Sequence, residues 1–182
     1  RPGQAALLVP AADGALYALD ARGAALDGFP VHGPRSSVIA EHPLVPAFLD
    51  GRLDPEAPAP LLAPVSAGAL GPDDASLLVT VNADAQVLAF GPLGAVQAGF
   101  PRALHEGAAR APEAPAGVTA AVALTRSGAQ AVLLASDGHR RLVRLGPDGA
   151  DVGAAWDLGG PPGSPAVGAA GAVWAATSGS VW

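Results

Sequence analysis

The stretch Gly14–Pro30, GALYALDARGAALDGFP, decides how the chain is read. An Asp-Gly turn (Asp13-Gly14) precedes an alternating run, a second turn closes on Gly23, and the stretch ends in Gly-Phe-Pro. Alternation of apolar and polar residues marks a half-buried strand, and Asp-Gly supplies the positive φ that a tight hairpin needs. The pattern recurs. Ala6–Pro30 matches Ser76–Pro101, with Leu7, Leu8 and Val9 falling on Leu77, Leu78 and Val79 and one residue inserted near the first turn. Ala18 falls on Ala89, Gly23 on Gly94 and Gly28-Phe29-Pro30 on Gly99-Phe100-Pro101. A third copy, Ala131–Trp156, keeps both turns and puts Trp156 where the others have Phe-Pro, and a fourth starts at Gly171 and runs to Trp182.

Each copy reads as strands joined by Gly turns, and a further small, apolar run precedes three of them: Pro60–Gly68, Gly117–Thr125 and Ser164–Gly171. That predicts four antiparallel strands per unit, the content of a propeller blade. The units span about 5–33, 60–104, 117–158 and 164–182, with long inserts at 34–59 and 105–116, in one partial domain covering 1–182. Three units, one lacking its first strand, plus part of a fourth are fewer than most propellers use. The expectation is a segment of a larger ring, whose open sheet edges are covered by further blades or by self-association. Phe29, Phe100 and Trp156 are the rings expected to wedge between neighbouring sheets.

Composition agrees with many short elements. Half of the residues are hydrophobic, mostly Ala, Val and Leu, alongside 24 Gly and 19 Pro. The net charge of −6, with all ten basic residues Arg, argues against a general nucleic-acid surface. The absence of Cys excludes disulfides and thiolate chemistry, and no uninterrupted apolar run is long enough for a membrane-spanning helix.

Leu16-Tyr17-Ala18-Leu19-Asp20 through Gly23, and SPAVGAAGAVWAATSGSVW (Ser164–Trp182), resemble the β-propeller repeats of the pyrroloquinoline-quinone-like superfamily. The Gly-Phe-Pro endings are also similar to FG-GAP propeller repeats. The resemblance implies an all-β propeller and an extracytoplasmic (periplasmic or secreted) location, and it extends to enzymes, scaffolds and adhesins. Calcium or pyrroloquinoline quinone is implied only for a longer parent protein, and no cofactor is expected for this chain. Quinoprotein pockets with adjacent cysteines have no counterpart here. Asp73 and Asp74, where FG-GAP repeats carry calcium loops, are adjacent and lack the alternate spacing that aims several oxygens at one ion.

In such blades the second-to-third turn and the link to the next blade share one rim. The two inserts and these turns gather the candidate binding residues there: Glu41, His42, Asp50, Arg52, Asp54, His105, Glu106, Asp137, His139 and Arg140. Neighbours such as Glu41-His42 and His105-Glu106 point opposite ways on an extended chain, so no metal, catalytic or cofactor-binding residue is assigned. The function expected is a non-catalytic binding or scaffold module that uses this rim for protein or polysaccharide. The alternatives are part of a quinoprotein-type dehydrogenase, or a structural spacer or adhesin segment of a surface protein.

Overall fold

The computed structural model describes residues 6–36, 58–61, 63–69, 75–104, 122–127, 130–136, 141–160, 165–167, 172–177 and 180–181. They form antiparallel β-sheet with no helix among them. The first sheet holds β1 (Leu7–Pro10), β2 (Ala15–Leu19) and β3 (Val31–His32) in chain order. The second is a four-stranded meander of β4 (Ser66–Ala69), β5 (Ser76–Val81), β6 (Gln86–Phe90) and β7 (Arg102–Ala103). The third repeats it with β8 (Val122–Ser127), β9 (Gln130–Ser136), β10 (Arg141–Leu145) and β11 (Trp156–Asp157). Two small ladders follow, β12 (Ala166–Val167) with β13 (Val173–Trp174) and β14 (Ala176–Thr177) with β15 (Ser180–Val181).

The hairpin turns repeat bond for bond. Ala11 N–H donates to Ala15 O and Gly14 N–H to Ala11 O, while Asn82 N–H donates to Gln86 O and Ala85 N–H to Asn82 O. Gly14 sits at φ 78° and Ala85 at 55°, so the second sheet asks an alanine to take a conformation suited to glycine. The next turn recurs three times: Gly23, Gly94 and Gly149 donate to Asp20, Gly91 and Gly146. Asp20 Oδ1 braces the first of these by accepting from the N–H groups of Arg22 and Ala24.

Strand register corrects two details of the sequence alignment. Leu7 pairs with Leu19 and Pro10 with Leu16, while Leu78 pairs with Phe90 and Val81 with Val87. One constant offset therefore carries Leu7, Leu16, Leu19 and Gly28 onto Leu78, Val87, Phe90 and Gly99. No residue is inserted, and Leu7 corresponds to Leu78, not Leu77. The one-residue slip matters because it exchanges the two faces of a strand. The second correction concerns Trp156. It pairs with Leu142 as Arg102 pairs with Val87 and Val31 with Leu16, so it takes the place of Arg102 rather than of the Phe.

Alternation along β5 and β6 gives the second sheet two buried faces. Leu88 and Phe90 pack with Leu16, Leu61, Phe29 and Val31, joining the first sheet to the second. Val79, Val81, Val87 and Ala89 pack with Phe100, Leu104 and Leu145, joining the second to the third. Phe29 and Phe100 thus lie where a wedge between sheets belongs, and burying Phe100, 8% exposed, stabilises by roughly 1.5–3 kcal/mol. Trp156 does not follow them. It is 39% exposed and lies over the guanidinium of Arg144, 4.6 Å from ring centroid to Cζ. Arg144 stands where the other sheets have Ala18 and Ala89, and the ring covers a charge of its own sheet.

Glycine turns set how closely neighbouring sheets approach. A Cβ on Gly28 would strike the Leu93 carbonyl, and one on Gly94 would strike Gly28 and Val31. The next junction is the same, with Gly99 against the Asp148 carbonyl and Gly149 against Gly99. Around Gly23, the third member of this series, the space is open.

These contacts give a graded expectation. All three turn glycines have positive φ, so Gly23→Ala should cost roughly 1–2 kcal/mol from backbone strain alone. Gly94→Ala and Gly149→Ala should cost at least about twice that, because the sheets must also separate. Urea denaturation of the three variants measures the difference, and equal losses would contradict it. Ala85→Gly should raise stability by about 0.5–1 kcal/mol in the same assay.

Candidate functional site

The glycine turns that bring sheets together lie at one end of the strands, and the hairpin turns with the long links lie at the other. The second end is the rim expected to bind. All ten candidate residues, Glu41, His42, Asp50, Arg52, Asp54, His105, Glu106, Asp137, His139 and Arg140, lie outside the described residues. So do Asp73 and Asp74. What is described is the frame of that rim.

On the first sheet, Tyr17 Oη donates to Asp13 Oδ2 at 2.8 Å, and Ala15 N–H donates to Asp13 Oδ1 at 2.9 Å. The two bonds follow from the local fold, because the turn places Asp13 before Ala15 and alternation puts Tyr17 on an outer face. The Ala15 N–H, then the Tyr17 hydroxyl and the field of His32, hold the Asp13 carboxyl below the ordinary carboxylate range. The same bond and charge raise the Tyr17 phenol. On the second sheet, Asn82 Oδ1 accepts from the N–H groups of Asp84 and Gln86, and its amide donates to Gln86 Oε1. Ser36 Oγ donates to Asp84 Oδ1 at 3.0 Å, tying the end of the first unit to this turn.

Between the second and third sheets runs a cleft of about 430 Å³. Arg102 on β7 and Arg141 on β10 stand on its two walls, with Ala103, Leu104 and Val143 between them. Arg102 Nη2 meets Asp151 Oδ2 at 3.2 Å across the junction, and Arg141 Nη2 donates to the Leu104 carbonyl at 3.3 Å. The cleft reaches the loop-bearing rim at Arg141 and Leu104, where the second insert leaves the sheet. Two guanidiniums on facing walls, one of them paired with Asp151, are chemically suited to carboxylate or hydroxyl groups. Sequence reasoning missed Arg102, Arg141 and Asp151, because nothing local in the chain says which outer strand faces which inner one.

A second groove, about 570 Å³, lies beyond the third sheet and is lined by Leu142, Trp156, Leu158, Val173 and Ala175. It is the counterpart of the junctions that hold Phe29 and Phe100, with Ala154 at the aromatic position in the register set by Trp156. Among the described residues no three His, Asp or Glu side chains converge as metal ligands. No described helix is long and apolar enough to cross a membrane.

The Asp13 environment has a pH consequence. Its folded pKa is depressed, so the associated stability is present above the ordinary aspartate value, near about 3.9, and is lost as pH falls through the lower folded value. Asp13→Asn should therefore be less stable than the parent at neutral pH, and the gap should close in acid. Tyr17→Phe, which removes one donor, should move the Asp13 titration back up. Carboxyl NMR titration and acid denaturation check both.

No family model matches the chain, and no curated protein matches it. Among solved structures, the crystal structure of a protein of unknown function from Bacteroides caccae, at 1.35 Å resolution, aligns with 97% of this chain at 13% identity and a TM-score of 0.49. The chain spans about half of that structure, 54% of its length.

Proposed function

We propose that the chain is a run of β-propeller blades forming a non-catalytic binding module outside the cytoplasm. Its ligand is a protein or polysaccharide with carboxylate groups, held at the loop-bearing rim and in the cleft that opens onto it. One observation carries the reading: Arg102 and Arg141 on facing sheets line a polar cleft beside the insert at 105–116. The repeated four-stranded meander supports the propeller part, since a propeller is built by repeating such a sheet. Two guanidiniums against the single carboxylate of Asp151 leave the cleft one excess positive charge, which attracts anionic groups locally while the rest of a chain of net charge −6 repels them.

Binding of the full chain to a panel of neutral and uronate-bearing polysaccharides tests this. Retention of acidic members is expected, with loss of at least about tenfold in affinity for the Arg102→Ala/Arg141→Ala variant, since each charge-assisted contact contributes about 1.5–3 kcal/mol. Shortening 37–57 and 105–116 should weaken capture as well. Unchanged binding by both variants would remove the rim and the cleft from the function. A stable chromophore after addition of pyrroloquinoline quinone with calcium would overturn the non-catalytic reading.

A further inference from the structure

The cleft between the second and third sheets holds an acceptor as well as two donors. Asp151 lines it with Arg102 and Arg141, and Arg102 Nη2 lies 3.2 Å and 3.4 Å from the two Asp151 oxygens. Tight charge-assisted bonds run to about 2.7–2.9 Å, so this contact is a loose one. The Asp151 side chain is 55% exposed, and a carboxylate has roughly four acceptor positions, so it has capacity for a further donor. A ligand that brings only carboxylates is repelled at that oxygen pair. A ligand that brings hydroxyls beside its carboxylate finds a partner for each.

Shape and size narrow the class. The apolar side chains of Leu104 and Val143 lie among these polar groups, and Gly153 leaves room beside them. A sugar ring has the matching character, with C–H faces for the apolar lining and hydroxyls around its edge for the polar groups. The volume of about 430 Å³ falls within the range of small-ligand clefts, about 300–1,000 Å³, whereas a stable protein contact buries about 800 Å² on each partner. Both walls are internal sheets, each packed against a further sheet on its other side.

Resting on the arginine cleft proposed above as a binding site, we infer that its ligand is an acidic sugar, a uronate unit of a polysaccharide, and that Asp151 sets this choice. The uronate carboxylate accepts from Arg141, a ring hydroxyl donates to Asp151, and Arg102 holds Asp151 in place. Asp151 is then a specificity-determining residue. It disfavours acidic polypeptides, whose side-chain carboxylates have no neighbouring hydroxyl, while the arginines disfavour uncharged sugars by leaving a guanidinium without its anion.

Calorimetric titration of the full chain with three probes tests this: an oligogalacturonate, its methyl ester, and an oligoglutamate of matched charge. The ester keeps the hydroxyls without the charge, and the oligoglutamate keeps the charge without the hydroxyls. The oligogalacturonate should bind at least about tenfold more tightly than either. Asp151→Ala, which removes an exposed carboxylate, should keep the parent's circular dichroism, bind oligoglutamate more tightly, and narrow the preference for the sugar by about tenfold. The ranking of the three probes is read on the parent, so it decides the matter even if the variant loses its fold. Equal affinity for both acids, lost in Arg102→Ala/Arg141→Ala, would overturn the choice of sugar and leave the anion-binding cleft standing. An unchanged preference in folded Asp151→Ala would remove Asp151 from that choice. Binding of neither acid, or of the ester as tightly as the acid, would overturn the cleft reading and this inference together.

Discussion

The closest contacts between neighbouring sheets are backbone against backbone. Gly28 meets the Leu93–Gly94 turn, and Gly99 meets the Asp148–Gly149 turn, at a separation that leaves no room for a Cβ on either partner. Once the turns touch, the spacing of the sheets is fixed at that end. The rest of the core must fill the wedge that the spacing leaves. Phe29 and Phe100, one residue after the glycines of that contact, fill it. Glycine contact and aromatic filler are thus one device, and their fixed order in Gly-Phe-Pro reflects that one turn supplies both.

The third sheet shows what happens when the device changes. The turn leading to β11 is one residue shorter, Ala154 stands at the aromatic position, and Arg144 replaces the small residue seen in the other two sheets. Arg144 Nη2 bonds the Ala154 carbonyl, and Trp156 covers the guanidinium. Arg144 Nε is buried without a hydrogen-bond partner. A stacked cation and ring occupy space that a phenyl ring fills elsewhere, and the groove of about 570 Å³ remains beside them. An unpaired buried donor costs about 1–3 kcal/mol, a cost that the Phe-filled junctions do not carry.

How much of this was legible in the sequence depends on the range of the interaction. The turns were, because Asp13-Gly14, Gly23, Gly94 and Gly149 act within four or five residues of themselves. So were the alternating strands, the four-strand units and the roles of Phe29 and Phe100, each carried by a repeat visible in one dimension. Register was not. The similarity of Leu7-Leu8-Val9 to Leu77-Leu78-Val79 favours an alignment one residue away from the pairing that hydrogen bonds select, because composition cannot see which side of a strand is buried. Trp156 was misplaced for the same reason: size suggested a wedge, and a turn one residue shorter puts it in register with Arg102, past the Phe-Pro positions. The cleft at Arg102 and Arg141 was beyond reach, since it exists only where two sheets far apart in sequence face each other. The ten rim residues lie outside the described residues, and the structure neither gathers nor separates them.

A repeat of this kind puts the glycine contacts and the long inserts at opposite ends of the strands. At the glycine-turn end a side chain at Gly28, Gly94, Gly99 or Gly149 forces the sheets apart, so those positions have little freedom to vary. At the other end the hairpin turns are braced by their own side chains, Asp13 by Tyr17 and Ala15 and Asn82 by Gln86, and by the chain beside them, with Leu61 N–H donating to Ala11 O and Ala83 N–H to Pro60 O. The links that leave β3 and β7 can lengthen at small cost, because loop closure costs only slowly more as a loop grows. The two long inserts leave the sheets at this tolerant end, and the cleft with the two arginines opens beside one of them. The long inserts have a freedom to vary that Gly28, Gly94, Gly99 and Gly149 lack, and that is the physical argument for the binding surface proposed on the loop-bearing rim.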